Sequence, residues 1–194
     1  NPDPEYVKHL TRQITQAIIK ADARVQPVEV GWGVAHVPEE VGNRRWFVKP
    51  QALQSNPFGE SGDQVRTNPP RGTGLLIKAA GPVDPDVTFL SVRSADGQPV
   101  SLLANYGLHY VGGIPPGQLS ADYFGEFARQ IAGRFKTDDE RGFVGIMSNG
   151  ASGDVNNYRF PDARPRSEPF ERVQAVASLV ADRVAEVHAK ISFS

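Results

Sequence analysis

Residues 88–106 have the sequence TFLSVRSADGQPVSLLANY, and this stretch decides the fold class. Two apolar runs, Thr88 to Arg93 and Pro99 to Tyr106, flank the dipeptide Asp96-Gly97. Asp-Gly between two such runs is typical of a β-hairpin, because glycine adopts the positive φ that a tight turn needs at no steric cost. The stretch therefore predicts two adjacent antiparallel strands.

Upstream of the hairpin, the chain predicts a helix, a strand and a long irregular segment. Asp3 and Pro4 can start a helix, because apolar residues recur at helical spacing through residues 7–21. Apolar and polar residues alternate over residues 27–37, as in a half-buried strand. Residues 38 to about 86 are rich in proline, glycine, asparagine and charge, so we expect little regular structure there. A loop of that length inside a domain is usually functional.

Downstream of the hairpin, helices alternate with one more strand. Ser120 is a candidate cap for an amphipathic helix, and a second such helix starts near Ser167. Phe143 to Met147 is short and continuously apolar, which predicts a strand buried on both faces. Ser148-Asn149-Gly150 follows it at once, at the kind of strand end that favours ligand sites. The order of elements predicts an α/β fold, with a mixed sheet covered by helices in a single domain over residues 1–194.

Composition excludes several classes of function. The chain has 21 basic and 22 acidic residues without a sustained run of either sign, so it lacks the electrostatic footprint of a nucleic-acid or anionic-membrane binder. It has no cysteine, which excludes disulfides, thiolate metal sites and a cysteine nucleophile. No stretch approaches the roughly 18 to 20 apolar residues of a membrane-spanning helix. Residues 1–4 contain neither an initiator Met nor a signal-peptide pattern, so we expect an internal or processed part of a longer chain.

Three polar clusters lie at the ends of predicted strands or in turns. The first runs from Asn105 to His109, where the second hairpin strand enters a glycine-rich loop. A lone histidine is more often a hydrogen-bonded structural residue than a metal ligand, and no second histidine lies within four positions of His109. Spacing alone leaves both roles open.

The second cluster runs from Ser148 to Asn157. Its simplest interpretation is a tight connection, because Gly, Asn, Asp and Ser tolerate left-handed backbone conformations. It lacks the Lys-Ser/Thr of a phosphate loop, and Ser152 lacks the flanking glycines of a nucleophile elbow.

The third cluster runs from Gly42 to Trp46. Its arginines can lie on the tryptophan ring at the surface, or Arg44 can point into a cleft and offer a fork of donors to a carbonyl or carboxylate oxygen.

Taken together and in order, these clusters resemble the N-terminal catalytic domain of neutral/alkaline (non-lysosomal) ceramidases. The resemblance spans most of the chain. Its motifs here are Gly31-Trp32-Gly33 followed by Asn43-Arg44, then Asp84-Pro85-Asp86-Val87, then Asn105 with His109, then Leu119-Ser120-Ala121-Asp122-Tyr123-Phe124-Gly125, and finally Gly153-Asp154-Val155-Asn156-Asn157-Tyr158.

The resemblance implies a zinc-dependent hydrolase of an N-acyl amide bond in a small molecule or a lipid, exported to the periplasm or the medium. It implies zinc as cofactor, with His109 as the metal ligand. The catalytic residues that it implies are Asn156, Arg44 and Asp154. The substrate-binding residues that it implies are Asn43, Asp122 and Asn149. We expect His109, Arg44, Asp122, Asn149, Asp154 and Asn156 to surround one cleft at the edge of the sheet.

Two departures from the family pattern bear on mechanism. The family binds zinc with two His, a Glu and a Tyr, and only the second His has a counterpart, so we expect the remainder of a larger catalytic domain to complete the site. Asn156 stands where the family has a nucleophilic serine, and it carries no hydroxyl. A zinc-bound water would then be the attacking group, oriented by Asn156, with Arg44 at the developing oxyanion.

Two alternatives stay open. The loss of the serine allows a relative that kept the fold as a binding or structural protein without catalysis. A nucleotide-binding domain is disfavoured, because the glycine-rich loop has no cationic residue.

Overall fold

The computed structural model describes residues 3–135, 142–163 and 167–194. The helices are α1 (Pro4–Asp22), α2 (Asp122–Arg134) and α3 (Glu171–His188), with single 3-10 turns at Pro38–Glu40 and Pro50–Ala52. The strands are β1 (Val28–His36), β2 (Gly42–Asn43), β3 (Arg45–Val48), β4 (Val65–Thr67), β5 (Leu76–Ala79), β6 (Asp86–Ser94), β7 (Pro99–Tyr106), β8 (Val144–Asn149) and β9 (Val155–Asn156). None of the helices in these residues is both long and apolar enough to cross a membrane.

The main sheet has the strand order β1-β6-β7-β8. The predicted hairpin is confirmed, because β6 and β7 pair antiparallel around Gly97, whose φ is +82°. Strand β8 returns parallel to β7 after α2, so the sheet is mixed. Helices α2 and α3 pack on one face, where the core includes Leu102, Phe127 and Val180. The predicted α/β class is therefore confirmed.

The three residues of the Gly-Trp-Gly motif of β1 alternate between the two faces of the sheet. A Cβ on Gly33 would lie 2.7 Å from the Phe89 ring, and one on Gly31 would lie 2.8 Å from the Ser192 carbonyl oxygen. Glycine at these two positions lets the buried layer approach the strand closely. Trp32 points to the opposite face, because successive side chains of a strand alternate.

That opposite face of the sheet is open. Four apolar residues face one another in register across its four strands and are between 42% and 67% exposed, namely Trp32, Leu90, Leu103 and Ile146. We call them the apolar row. The prediction that residues 143–147 are buried on both faces was wrong, because no helix in the described residues covers this side of β8. A continuous apolar run indicates what a strand can bury and does not show what covers it.

Helix α1 has the predicted start and no buried residue. The Asp3 carboxylate accepts a hydrogen bond from the Glu5 backbone N–H at 3.0 Å, and Pro4 occupies the first turn. The apolar side of α1 is exposed, and Leu10, Ile14 and Ile18 are among its residues. Two apolar surfaces of this domain therefore lack cover within the described residues.

The segment from residue 38 to 86 is more ordered than its composition predicted. Strand β3 lies between β4 and β5 in a small antiparallel sheet. The reason is local, because Trp46-Phe47-Val48 is a short run of strong strand formers among the turn residues.

Two helix starts also differ from prediction. The N-cap of α2 is Ala121, although the Ser120 hydroxyl still accepts a hydrogen bond from the Asp122 N–H at 3.0 Å. Helix α3 begins at Glu171 and not near Ser167, because Phe170 adopts a left-handed conformation with φ of +64°.

Candidate active site

Two short strands that are distant in sequence form the centre of the candidate site. Strands β2 and β9 pair antiparallel, so that Gly42 lies opposite Asn156 and Asn43 opposite Val155. The Arg44 N–H then donates to the Asp154 carbonyl at 2.8 Å. This β2–β9 ribbon brings together four of the residues that were predicted from the sequence, Asn43, Arg44, Asp154 and Asn156.

Asn43 holds the ribbon in place. Its side chain is buried, and its Nδ2 donates to the Asp154 carboxylate at 3.3 Å and to the Pro82 carbonyl at 3.2 Å. Its Oδ1 accepts from the Arg45 N–H at 2.8 Å. The Asn43 carbonyl accepts from the Trp46 indole N–H at 2.7 Å. Both amide hydrogens of Asn43 therefore already have protein acceptors.

Arg44 carries a donor that has no acceptor. The side chain is half-buried, and its Nε is inaccessible to solvent without a hydrogen-bond partner among the described residues. No carboxylate in this part of the chain forms an ion pair with it. A buried guanidinium N–H without an acceptor is costly to maintain, so it indicates a place where a ligand oxygen can bind.

Asn156 uses both its amide nitrogen and its carbonyl oxygen in hydrogen bonds within the chain. Its Nδ2 donates to the Asn68 Oδ1 at 3.2 Å and to the Tyr158 Oη at 2.9 Å. Its Oδ1 accepts from the Asn157 N–H at 2.9 Å. The Asn68 N–H in turn donates to the Arg44 carbonyl at 2.7 Å. An Asn156 that donates to a substrate must therefore give up one of its two N–H bonds, whereas its Oδ1 can accept one more.

The loops that follow β7 and β8 lie side by side. The Asn105 Nδ2 donates to the Ser148 Oγ at 2.9 Å, and the Gly150 N–H donates to the Tyr106 carbonyl at 2.8 Å. Asn149 is exposed, and its Nδ2 donates to the Ser152 Oγ at 3.1 Å. The carboxyl ends of two parallel neighbours meet at one edge of a sheet, as expected for an α/β ligand site.

His109 lies in the loop after β7. The side chain is half-buried, and its ring centroid is 4.2 Å from that of Tyr110. Among the described residues, no hydrogen bond reaches the imidazole, and no group of three or more potential ligands (His, Asp or Glu) is close enough to hold a metal ion. His109 alone does not make a zinc site, which needs three or four ligands. The described residues therefore do not fit zinc by themselves.

Asp122 anchors the same loop to α2. Its carboxylate accepts from the Val111 N–H at 2.8 Å, the Gly112 N–H at 2.9 Å and the Tyr123 N–H at 2.7 Å. Asp122 itself has a φ of +52°. The carboxylate is thus held by three backbone donors.

The link between the His109 loop and the ribbon runs through Asn157. This residue is 1% exposed, and its Nδ2 donates to the Val111 carbonyl at 2.6 Å. The Asn157 carbonyl accepts from the Arg172 Nη2 at 2.9 Å, and Arg172 also pairs with Glu40. Burial raises the pKa of the Glu40 carboxyl, and Arg172 opposes part of that rise. No hydrogen bond joins the side chains of Arg44 and His109 in the described part of the chain.

Sequence reasoning missed Asn68 and Arg71, and it gave no role to Tyr158, the last residue of the motif that starts at Gly153. The Arg71 guanidinium lies over the Tyr158 ring, 3.9 Å from its centroid, and its Nη1 is buried without a partner among the described residues. Their signal was the long irregular segment itself, which holds Asn68 and Arg71 and was expected to be functional. No residue spacing in it indicates which side chains meet β9.

No family model and no curated protein matches the chain. Among solved structures, a neutral ceramidase from Pseudomonas aeruginosa matches 91% of this chain with a TM-score of 0.59 and 18% identity. The chain has the fold of part of a neutral ceramidase. A second structure, described as ceramidase complexed with C2, matches 88% of the chain with a TM-score of 0.57 and 16% identity.

The likeness to the two ceramidases is a likeness of fold, and it covers only part of each ceramidase chain. The matched region makes up 25% of the first ceramidase chain and 23% of the second. The resemblance that the sequence motifs indicated is thus confirmed at the level of the fold. At this identity it assigns no role to any single residue of the ceramidase-like chain.

Proposed function

We propose that this chain is part of the catalytic domain of a hydrolase that cleaves an N-acyl amide bond in a lipid or a smaller molecule. The observation that supports this most strongly is the β2–β9 ribbon. It assembles Arg44, Asp154 and Asn156 beside the β7 and β8 loops in a chain with a ceramidase fold. Hydrolysis of an amide needs donors for the developing oxyanion and a group that takes a proton from the attacking water and passes it to the departing amine, and the ribbon offers an arginine and a carboxylate for these two roles.

Arg44 has the donor for the oxyanion. Its buried Nε lacks an acceptor among the described residues, so it can donate to the charge that develops on the scissile carbonyl oxygen. One Asp154 carboxylate oxygen accepts from Asn43, and the other has no hydrogen-bond donor among the described residues, so it can accept a substrate N–H or O–H. Asn156 orients the carbonyl once its longer bond, to Asn68, opens. Asn149 contacts substrate at the exposed edge, while Asn43 and Asp122 position the ribbon and the His109 loop.

Turnover tests this assignment directly. The substrate would be a fluorogenic N-acyl amide, and the enzyme would be the full-length protein that contains this chain. Arg44→Gln should lower kcat/KM by about 100-fold or more, as expected for loss of an oxyanion donor. Arg45→Gln is the matched control, because Arg45 is the next residue along the chain and its side chain is exposed. This variant should keep its activity within about twofold of the wild type. Equal activity in both variants would remove Arg44 from the mechanism.

Zinc, if bound, would be held jointly by His109 and by ligands from outside this chain. When bound, it would supply Lewis-acid chemistry at the substrate carbonyl. Metal analysis of the full-length protein tests the assignment. His109→Ala should lose most of its zinc, whereas His9→Ala, on exposed helix α1, should keep it. Equal zinc content in the two variants would leave His109 as a structural residue.

We further propose that the remainder of that catalytic domain covers the apolar row. The likeness supports this, because it covers only about a quarter of each ceramidase chain. A protein of that length has additional residues that can cover the apolar row. The chain has no cysteine, so Leu103→Cys introduces the only thiol of the 194-residue chain, and peptide mass spectrometry follows the same position in the full-length protein. A maleimide should label it quickly in the 194-residue chain and slowly in the full-length protein. Gln98→Cys in the hairpin turn should react at similar rates in both, and similar rates for Leu103→Cys would contradict the proposal.

Export to the periplasm or the medium belongs to the same proposal, and it is tested by fractionating cells that produce the full-length protein.

The catalytically inactive alternative is favoured by one observation, because Asn156 has no hydroxyl and both its amide hydrogens are bonded. Binding of an N-acyl amide without any turnover by the full-length protein would favour that alternative.

A further inference from the structure

A small cavity adjoins the candidate site. Its volume is about 240 Å³, and its charged and aromatic lining consists of Glu39, Arg71, Tyr158, Arg159, Asp162 and Arg172. Tyr158 connects the cavity to the site, because its Oη accepts from the Asn156 Nδ2 at 2.9 Å. A group bound here would therefore lie one side chain away from the ribbon.

Most of the charged residues that the structure describes around the cavity have an oppositely charged neighbour. Arg172 pairs with Glu40, and the Arg159 Nε lies 3.9 Å from the Asp162 Oδ2. The Glu39 Oε1 lies 3.3 Å from the Arg183 Nη2. Arg71 has no carboxylate partner among the residues that the structure describes. Among the described cations of the lining, Arg71 is therefore the one without an ion pair.

Arg71 is held in a fixed orientation. Its guanidinium stacks on the Tyr158 ring at 3.9 Å, which sets the plane of its donors. The backbone is also tied down, because the Gly72 N–H donates to the Phe160 carbonyl at 3.2 Å. The Nη1 is buried, and within the described ranges it has no acceptor. A preorganised guanidinium fork without an acceptor matches a planar group with two oxygens.

We propose that this cavity binds a carboxylate of the substrate. The substrate class is then an N-acylated amine whose amine part carries a carboxylate, as in an N-acyl amino acid. This inference rests on the proposed amide hydrolase function. One guanidinium fork matches the two oxygens of a carboxylate, and the Glu39 and Asp162 carboxylates in the same lining disfavour a phosphate dianion.

Calorimetric binding tests the cavity without requiring turnover. The probes are N-hexanoylglycine and its neutral counterpart N-hexanoylethanolamine, and each is titrated into the full-length protein. The wild-type protein should bind the acylglycine about tenfold more tightly, as expected for a bidentate charged hydrogen bond. Inorganic phosphate at the same concentration should not compete. Equal affinity for the two probes, or competition by phosphate, would overturn the carboxylate assignment.

Variants locate the preference at Arg71. Arg71→Gln should abolish the difference between the probes, and Arg71→Lys should keep part of it, because the charge remains while the fork is lost. Arg12→Gln, on the exposed helix α1 and outside the cavity, is the control and should keep the full difference. Circular dichroism checks that each variant is folded. A preference that survives in both Arg71 variants, or is lost in Arg12→Gln, would contradict the proposal.

Turnover separates this inference from the proposed function. If the full-length protein hydrolyses neutral and carboxylated amides equally, the cavity assignment fails and the hydrolase proposal stands. If the acylglycine binds through Arg71 but no amide is cleaved, the hydrolase proposal fails and the carboxylate site stands.

Discussion

The Asn43 side-chain amide donates to the Asp154 carboxylate at 3.3 Å, although 111 positions separate the two residues. This hydrogen bond joins the start of the irregular segment to the loop after β8. The Asn43 side chain is only 5% exposed, so its polar atoms cannot turn to water instead. The arrangement of the candidate site thus depends on a buried polar contact between two loops.

Asn43→Ala should lower the free energy of unfolding by about 2 kcal/mol, because it leaves the Pro82 carbonyl, the Asp154 carboxylate and the Arg45 N–H without their partner. Urea denaturation measures the change. Gln54→Ala is the control, because Gln54 is exposed, and it should change the stability by less than about 0.5 kcal/mol. Equal effects of the two substitutions would mean that the Asn43 contacts do not stabilise the ribbon.

Gly42→Ala should destabilise the chain by about 2 kcal/mol or more, because the new Cβ would overlap the Tyr158 carbonyl oxygen and force the ribbon apart. Gly62→Ala offers a matched control. A Cβ on Gly62 meets nothing within 4 Å, so this variant should be neutral or slightly stabilised. Thermal unfolding of both variants tests the steric argument, and an unaffected Gly42→Ala would show that β9 can shift freely.

Leu102 and Leu103 are neighbours in β7 with opposite environments. Leu102→Ala should lower the free energy of unfolding by about 3 kcal/mol, because Leu102 is fully buried beneath the helices. Leu103→Ala should cost less than about 1 kcal/mol in the 194-residue chain, because Leu103 is 43% exposed. Chemical denaturation compares the two. A large loss in Leu103→Ala would mean that the open face is already covered, for example by a second copy of the chain.

Stability should fall as the pH drops below about 6.5 because of His188. Burial lowers the pKa of His188 from 6.5, and the nearby Arg93 charge adds to that effect. In the window between the two pKa values the unfolded chain binds more protons than the folded chain, so the free energy of unfolding rises with pH there. The imidazole Nε2 lies 2.9 Å from the Ser91 Oγ, in surroundings that disfavour charge.

The measurement is urea denaturation at about pH 7.5 and about pH 5. His188→Gln should lose less stability than the wild-type chain between the two values, because the neutral amide takes up no proton. His9→Gln, on the exposed helix α1, should behave like the wild-type chain. A wild-type pH dependence in His188→Gln would rule out His188 as its source.

The sequence predicted those parts of the fold in which neighbouring residues suffice. Asp96-Gly97 located the hairpin turn, and Asp3 with Pro4 located the start of α1, because turn and cap preferences act over a few residues. The polar loop after β8 was predicted for the same reason, since an apolar run ends at Ser148. In each case the decisive interactions lie within the segment itself.

The remainder depends on contacts between distant segments. The pairing of Gly42 with Asn156 and the stacking of Arg71 on Tyr158 leave no periodic pattern in the sequence, because each joins irregular segments. The open face of the sheet was missed for a related reason. The apolar residues of β8 indicate the capacity to be buried on both sides, and only the tertiary arrangement shows which side has a neighbour.

The chain's two tryptophans are in opposite environments, and this makes them intrinsic fluorescent reporters of different events. Trp32 belongs to the apolar row and is 67% exposed, so its emission should shift to shorter wavelength whenever another polypeptide covers the sheet. Trp46 donates its indole N–H to the Asn43 carbonyl, so its emission should respond when the ribbon forms. In variants with one tryptophan replaced by phenylalanine, the emission of the remaining tryptophan distinguishes docking onto the sheet from assembly of the site. No added label is needed.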